Sequence, residues 1–398
     1  MYSRRTKQGV FVLEGLNTFA TTYYLYYLFF YMHAKFGFGR LENLALAALN
    51  GFVYAFAAIY GGRFAQKRGY FPALRFGFST TAFALIAGSA IESSIGQVCV
   101  MILATIGICF TWPALEALAC EREPIGRLQR IVGIYNLVWA GGGALAYFSG
   151  GAMLEKWGLR SMFLVPAAIN IIQLVFMSWI EKRAETGEEI VHRPSPDISS
   201  IFIDQQKKHS SVSPKTFLRI AWVANPCAYI AISTAVPLIP SLAEQLRLSP
   251  MFAGFFCSIW LFARALSFWI LWLWTGWHYR FRWLAISYAI MAVCFALILI
   301  VPTFWALSVA QMFFGLALGL IYYSSLFYSM DVGSTKGEHG GIHEAAIGAG
   351  NFIGPAVGAA AVHFYPVQQN SGALAVSILL LCGFISLLLI RKLSSHAA

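Results

Sequence analysis

The sequence predicts an all-α membrane protein whose twelve transmembrane helices form two pseudo-symmetric six-helix bundles. Three observations lead to this fold class: the composition, the spacing of the apolar runs and the distribution of the cations. Of the 398 residues, 59% are hydrophobic and 11% are charged, whereas about 25% of the residues in a soluble domain are charged. A composition this apolar excludes an ordinary soluble domain.

Apolar runs of about 20 residues recur along the chain, and a helix needs roughly this length to cross a bilayer. The longest polar stretch separates six runs from six. The chain therefore divides into a first bundle over residues 1–181, a cytoplasmic linker over 182–215 and a second bundle over 216–398. The predicted spans are residues 9–32, 41–61, 72–91, 97–118, 129–153, 160–180, 216–240, 250–274, 283–301, 304–328, 342–364 and 371–390.

The lysines and arginines identify the cytoplasmic side. With both termini in the cytosol, 22 of the 28 lie on the cytoplasmic side and five on the opposite side, while Arg264 lies inside the eighth span. Such an excess follows the positive-inside rule. It predicts a multi-pass protein of the plasma (inner) membrane with cytoplasmic termini, and it explains the net charge of +11 without a nucleic-acid partner.

The seven cysteines fall in or beside apolar runs and form no CxxC pair. Cysteines in such positions are small packing residues rather than metal ligands or a disulfide framework. We therefore expect neither a cofactor nor a metal site.

The connection between spans two and three is a short basic turn from Gly62 to Gly69. It resembles the signature loop of the major facilitator superfamily, since Gly62, Lys67 and Gly69 match and Gln66 stands where the family usually has aspartate. The Gly-Pro pair that many efflux members carry in span five occurs here in span eleven, as Gly354-Pro355. The resemblance extends over essentially the whole chain. It implies two bundles that alternate access to a midplane cavity lined mostly by spans one, four, seven and ten.

The resemblance also implies a role for the turn. In the family, the aspartate pins the outward-facing state through charge contacts with the neighbouring bundle. Gln66 can form a hydrogen bond but cannot form that ion pair. We therefore expect a weaker latch at Gly62–Gly69, in which Lys67 and its neighbouring cations contact other acids such as Glu121 or Glu123.

Ionisable side chains inside the predicted spans are few, and each costs roughly 2.5–3.5 kcal/mol at the centre of a bilayer. The candidates for proton coupling are Glu14, Glu116, His343 and Glu344. A structural role is the alternative for each. Glu14 would pair with a local cation near the interface, Glu116 would act in gating, and His343 and Glu344 would stabilise the first turn of span eleven.

Polar and aromatic residues within the spans form the predicted substrate cavity. Arg264 lies too deep in span eight to reach the interface easily, so it binds either an anionic group of the substrate or a carboxylate of the second bundle. Span seven is predicted to break at two places, Pro226 and Pro237–Pro240, as suits a gating helix. The predicted cavity residues are Asn17, Thr21, Tyr24, Trp112, Asn136, Trp139, Asn225, Arg264, Gln311, Tyr322 and Asn351.

These features favour a monomeric secondary active transporter of a small organic compound, driven by the proton gradient. The aromatic lining, the few midplane charges and the Gly-Pro pair favour export of hydrophobic or amphipathic compounds. Arg264 supports an alternative, which is uptake of an organic carboxylate by symport, and a lipid-moving facilitator is a further alternative. A membrane-embedded transferase is the competing enzyme class, but the loops are too small for a catalytic domain and no catalytic motif is found.

Overall fold

A computed structural model describes residues 4–121, 125–186, 213–301, 303–332, 336–368 and 370–395, which contain helices and no β-strand. The first half forms α1 (Arg4–Phe36), α2 (Arg40–Arg68), α3 (Tyr70–Gly88), α4 (Ser94–Cys120), α5 (Ile125–Trp157) and α6 (Ser161–Thr186). The second half forms α7 (Pro214–Ala235), a 3₁₀ helix (Val236–Leu238), α8 (Ile239–Gln245), α9 (Pro250–Cys257), α10 (Ile259–Leu273), α11 (Phe281–Ile300), α12 (Phe304–Val332), α13 (Lys336–Phe364) and α14 (Ser371–Ser395).

These helices make twelve transmembrane spans, because two spans of the second half are each interrupted once. The segment from α7 to α8 is one span, and α9 with α10 is another. Within the described residues, ten spans are long and apolar enough to cross a membrane by length and composition. The other two are α1, which carries a polar stripe and many tyrosines, and the short α3, which contains Arg75. The predicted fold class is confirmed. Most of the predicted linker lies outside the described residues, since only its ends belong to α6 and α7.

The seventh span breaks once rather than twice. The helix is interrupted at Val236–Leu238, next to Pro237 and Pro240, as the sequence predicts. The predicted break at Pro226 is wrong, since α7 remains helical through it. A single proline removes one backbone donor, which a helix inside a bundle tolerates. Two prolines three residues apart remove two donors within one turn, and there the α-helix gives way.

The predicted turn from Gly62 to Gly69 is largely helix. α2 extends to Arg68, and Gly69 alone, with a φ angle of 98°, joins it to α3. Hydropathy marks only the part of a helix inside the hydrocarbon, and α2 continues for two turns beyond it. The end of the molecule at Gly69 is the predicted cytoplasmic end and is called the inner end below, and the opposite end is called the outer end.

The latch predicted at this position stays a prediction. The side chains of Gln66 and Lys67 are exposed, and Lys67 makes no ion pair with the described residues. Lys7 of α1 lies at the backbone of Glu121 instead. Its ammonium donates to the carbonyl oxygens of Leu118, Ala119 and Glu121 at 3.2, 2.6 and 2.9 Å, which the end of α4 leaves without an internal partner. Glu123 lies outside the described residues.

The two halves contact each other along two sets of helices. α2 packs against α13, and α5 packs against α9 and α10. A Cβ atom on Gly51 of α2 would lie 2.2 Å from the backbone carbonyl carbon of Asn351. On the other side, a Cβ atom on Gly151 would lie 2.1 Å from the carbonyl oxygen of Pro250. These close backbone contacts form two side walls of the space between the halves.

The connection between α10 and α11 forms an aromatic cluster at the inner end. The ring of His278 stacks on that of Trp277 with 3.9 Å between the centroids, and both residues are buried. The backbone nitrogen of Tyr279 donates to the Tyr328 hydroxyl at 2.9 Å, while the Tyr279 hydroxyl donates to the carboxylate of Asp331. The connection is therefore anchored to α12 rather than projecting into solvent.

Candidate transport site

A cavity lies between the two halves near the middle of the bundle. The space between its lining residues amounts to about 1010 Å³, which includes the open space at its mouth. The lining comes from α1, α2, α4, α5, the segment from α7 to Pro237, α10 and α13. The resemblance implied lining mainly by spans one, four, seven and ten. The tenth span, α12, contributes no lining residue among those described, and α2 and α13 contribute instead because they form one of the side walls.

Arg264 is the cation of this cavity. Its side chain is 4% exposed, and its guanidinium carbon lies 4.3 Å from the ring centroid of Trp139 and 5.0 Å from that of Trp260. The Nε atom has no hydrogen-bond partner, and within the described residues the side chain makes no ion pair. The alternative of a structural ion pair in the second bundle therefore finds no support in the described part of the chain.

Tyr322 explains why α12 does not reach the cavity. Its ring stacks on Trp139 at 4.7 Å with an interplanar angle of 13°, and it also contacts Phe268 in a tilted arrangement and His343 edge-on. Trp139 lines the cavity and Tyr322 lies behind it. The guanidinium of Arg264 thus contacts the ring of Trp139, and the ring of Tyr322 stacks on Trp139 in turn.

Three ionisable side chains meet near the inner end of the cavity. The possible ligand atoms of Glu116, His343 and Glu344 all lie within 4.8 Å of one another, and all three residues are buried. Glu116 comes from the first half and the other two from the second. The Oε2 atom of Glu116 and the Nε2 atom of His343 have no hydrogen-bond partner. Two charged carboxylates this close in a buried site repel each other, so a shared proton or another cation would stabilise the cluster.

Glu116, His343 and Glu344 are called the carboxylate cluster below, and two further hydrogen bonds lie beside them. The hydroxyl of Tyr54 on α2 donates a hydrogen bond to Glu344 on α13, which joins the two halves. Glu14 of α1 accepts a hydrogen bond from Thr18 at 2.8 Å, and its Oε2 atom has no partner. No lysine or arginine pairs with Glu14 among the described residues, so the structural alternative for this residue also lacks its partner.

The structure divides the predicted site residues into three groups. The first group lines the cavity and consists of Thr21, Trp112, Trp139, Arg264, Glu344 and Asn351. The second lies buried near it without lining it and consists of Glu14, Asn17, Glu116, Asn136, Asn225, Tyr322 and His343. The third lies elsewhere: Tyr24 packs on Phe163 in the core of the first half, and Gln311 lines a different cavity.

Three of the buried predicted residues are asparagines with unsatisfied amides. Asn136 and Asn225 have neither amide atom hydrogen-bonded, and the Nδ2 atom of Asn17 has no partner. Buried amides are normally paired, with protein or with ordered water. These positions therefore mark where buried water would be stabilised.

Sequence reasoning missed several lining residues. Tyr54 and Asn50 lie in the apolar run of α2, and Ser233 and Tyr229 lie in α7. The Ser233 hydroxyl donates to the Asn351 side chain, so one missed residue holds a predicted one. Isolated polar residues in α2 and α7 were the available signal, but their orientation toward the cavity depends on how the halves pack.

Residues 10–225 match the family model described as Major Facilitator Superfamily. The chain belongs to the Major Facilitator Superfamily. It is therefore a multi-pass integral membrane transporter rather than an enzyme, and the transferase alternative is set aside. One relative, the uncharacterized MFS-type transporter YttB of Bacillus subtilis (strain 168), is 26% identical over 89 residues. That match covers 22% of this chain and 22% of the relative, so the aligned part spans about a fifth of the relative's length.

Two solved structures of this superfamily's fold resemble the whole molecule. The nucleoside transporter NupG matches with a TM-score of 0.69 at 13% identity, covering 97% of this chain and 99% of NupG. A mutant form of the peptide transporter POT matches with a TM-score of 0.70 at 15% identity, covering 98% of this chain and 95% of POT. At these identities the likeness concerns the fold alone.

Proposed function

We propose that this facilitator is a proton-coupled symporter that binds a small organic anion in the central cavity, with Arg264 as the anion-binding residue. The single observation that supports the proposal is that Arg264 is buried in the cavity wall without an acidic partner among the described residues. This buried cation lines the cavity and contacts the rings of Trp139 and Trp260.

A buried arginine without a counterion is costly, and ring contacts compensate only part of that cost. Cation–π contacts contribute about 0.5–2 kcal/mol each, whereas the transfer of an unpaired charge into a protein interior costs several kcal/mol. An anionic group in the cavity would supply the missing charge. The planar guanidinium suits a carboxylate or a similar oxyanion, because it can donate two parallel hydrogen bonds.

The carboxylate cluster supplies the proton coupling. Glu116 and Glu344 come from opposite halves, and a proton shared between them would hold the halves together at the inner end. Loss of that proton would leave two carboxylates that repel each other across the interface. The repulsion would favour separation of the two halves at the inner end. The groups that face this pair are Glu14 on α1, Tyr54 on α2, Tyr135 on α5, Tyr322 on α12 and His343 on α13.

Electrostatics favours symport over antiport. Glu344 lines the same cavity as Arg264, so a charged Glu344 would repel an anion bound there. Protonation removes that repulsion, and by linkage the bound anion then favours protonation to the same extent. A proton and an anion therefore bind together, and an inward proton gradient drives uptake. This conclusion supports the carboxylate alternative over the export preference drawn from the sequence.

A metal ion in place of the proton is less consistent with the cluster. Glu116, His343 and Glu344 supply three donors, which is fewer than the four protein ligands of a structural zinc site and matches only an open site whose fourth ligand is water. The carboxylate of Glu344 also already accepts the hydrogen bond of Tyr54. Transport that is unchanged by a chelator is therefore expected.

Export of amphipathic compounds is the second candidate. The aromatic lining formed by Tyr26, Trp112, Trp139 and Tyr229 favours it. The two candidates predict opposite effects of pH on substrate binding. In antiport a proton and the substrate compete, so acidification weakens binding, whereas in symport acidification strengthens it.

Proteoliposomes test the proposal. Benzenesulfonate is a suitable probe, because it stays charged at all working pH values and cannot cross the bilayer as a neutral acid. We expect saturable uptake that an acidic exterior drives, that EDTA does not affect and that Arg264→Gln abolishes. Glu344→Gln should retain counterflow exchange but lose gradient-driven accumulation. Accumulation by Glu344→Gln equal to wild type would refute the coupling, and uptake by Arg264→Gln equal to wild type would refute the anion site.

A further inference from the structure

A second cavity, almost entirely apolar, lies beside the transport site. The space between its lining residues amounts to about 480 Å³, which includes any open space at its edge, and α7, α8, α9, α10, α11 and α12 all contribute to the lining. Apolar residues such as Leu242, Leu299 and Phe314 dominate that lining. The polar side chain Gln311 is already engaged, because its amide nitrogen, in the orientation that satisfies it, donates to the carbonyl oxygens of Phe256 and Cys257 at 3.2 and 3.3 Å.

The two cavities share part of their walls. Ile232 and Val236 line both of them. Trp260 lines the apolar cavity, and its ring faces the guanidinium of Arg264, which lines the transport cavity. The anion-binding cation and the apolar space are thus separated by one indole ring and two aliphatic side chains.

We propose that the transported anion is amphipathic: its acidic group binds Arg264 and its apolar chain enters the second cavity, which we call the tail pocket. This inference rests on the proposed function, because it takes Arg264 as the anion site. The substrate class is a monoanion with an alkyl or arylalkyl chain. The proposal also unites the two features that pointed in different directions in the sequence, the aromatic residues and the single buried arginine.

The wall between the cavities lies at the interruption of the seventh span. Val236 begins the 3₁₀ helix, and Pro237 and Pro240 remove two backbone donors there. A segment with fewer internal hydrogen bonds adjusts more readily than a continuous helix. Chains of different length can therefore be accommodated next to a fixed head-group site.

Chain length is the first test. Linear alkanesulfonates of two, four, six and eight carbons, each below its micellar concentration, are titrated against the purified protein with thermal stability as the readout. Affinity is expected to rise about fourfold for each methylene that enters the pocket and to be lost at every length in Arg264→Gln. Equal affinity for all lengths would overturn the tail pocket. If no sulfonate, including the shortest, stabilised the wild-type protein, the anion site of the proposed function would be overturned instead.

A native cysteine gives the second test without altering the pocket. Cys257 lines the tail pocket, whereas Cys382 is exposed on α14. In a chain that keeps only Cys257, octanesulfonate should slow alkylation by a small thiol reagent at least tenfold, and ethanesulfonate should not. A chain that keeps only Cys382 should show no protection. Equal protection of Cys257 by both sulfonates, or none by octanesulfonate, would refute the proposal.

Filling the pocket is the third test. Cys257→Phe should abolish the gain in affinity beyond four carbons. The matched change Cys382→Phe on the outside of the bundle should leave the whole series unchanged. A full chain-length dependence in a folded Cys257→Phe protein would show that the chains bind elsewhere.

Discussion

The hydroxyl of Tyr54 on α2 donates a hydrogen bond to the carboxylate of Glu344 on α13, so one side-chain contact joins the two halves beside the carboxylate cluster. Both residues are buried, at 3% and 4% exposure. The two halves must separate at this point in one state of the transport cycle. The hydrogen bond therefore stabilises the state in which they remain in contact. Its strength therefore contributes directly to the conformational equilibrium.

Tyr54→Phe removes this hydrogen bond and little else. A hydrogen bond to a charged group contributes about 1.5–3 kcal/mol, so we expect a lower melting temperature in detergent and weaker gradient-driven accumulation. Tyr60→Phe on the same helix is the matched control, because Tyr60 is 68% exposed. In a double-mutant cycle, Tyr54→Phe should cost less on the Glu344→Gln background. Equal costs on both backgrounds would show that the two residues do not interact.

Arg264→Lys tests whether the guanidinium geometry matters rather than the charge alone. Lysine keeps the cation but loses the planar donors that bind an oxyanion in pairs and stack on Trp139 and Trp260. We expect at least a tenfold rise in the KM for benzenesulfonate. Arg183→Lys is the control, since Arg183 stacks on Trp179 at 4.0 Å away from the cavity and is exposed. A KM unchanged by Arg264→Lys would argue against paired hydrogen bonds to the anion.

Gly51→Ala tests the close contact between α2 and α13. The new Cβ atom would lie 2.2 Å from the backbone carbonyl carbon of Asn351, so the helices must separate. We expect loss of transport and a destabilised protein. Gly141→Ala in α5 is the matched control, because nothing lies within 4 Å of its Cβ position. Alanine is the better helix former by about 1 kcal/mol, so Gly141→Ala should be neutral or stabilising. Wild-type transport by Gly51→Ala would refute the close contact.

The sequence was sufficient for the fold because its signals are local. A run of apolar residues identifies a span wherever it packs, and the cation excess follows from the ends of the spans. The break at Pro237 and Pro240 could be predicted for the same reason. The break predicted at Pro226 was wrong because the response of a helix to one missing donor depends on its neighbours, which the sequence does not display.

The site could be predicted only in part, since it forms between distant segments. Arg264 stands out as a charge inside an apolar run and Glu344 as a carboxylate in the first turn of span eleven, and both line the cavity. Tyr54 carries no such signal, because a tyrosine within a span is common and its role depends on Glu344 being opposite. The meeting of Glu116 with His343 and Glu344 joins residues more than 200 positions apart. No spacing rule within one helix could reveal it.

His278 makes a pH-dependent contribution to stability at the inner end. Its side chain is buried in the connection between α10 and α11, where burial lowers the pKa to about 4. Its Nδ1 atom lies 2.7 Å from the carbonyl oxygen of Thr275, and Asp331 is the charged group that faces it. The unfolded chain binds a proton near the ordinary value of about 6.5. The native state therefore loses stability as the pH falls from about 6.5 toward 4, and above this range the contribution is fully present.

We expect the free energy of unfolding to fall by about 2 kcal/mol between pH 7 and pH 5 through this one group. His278→Phe keeps a ring that can stack on Trp277 but cannot be protonated, so its melting temperature should depend less on pH than that of the wild type. His363→Phe is the control, because that histidine lies on the exposed end of α13. The comparison cancels the contribution of the acidic residues, which is common to all three proteins. Parallel pH profiles for wild type and His278→Phe would show that His278 is not held neutral in the folded protein.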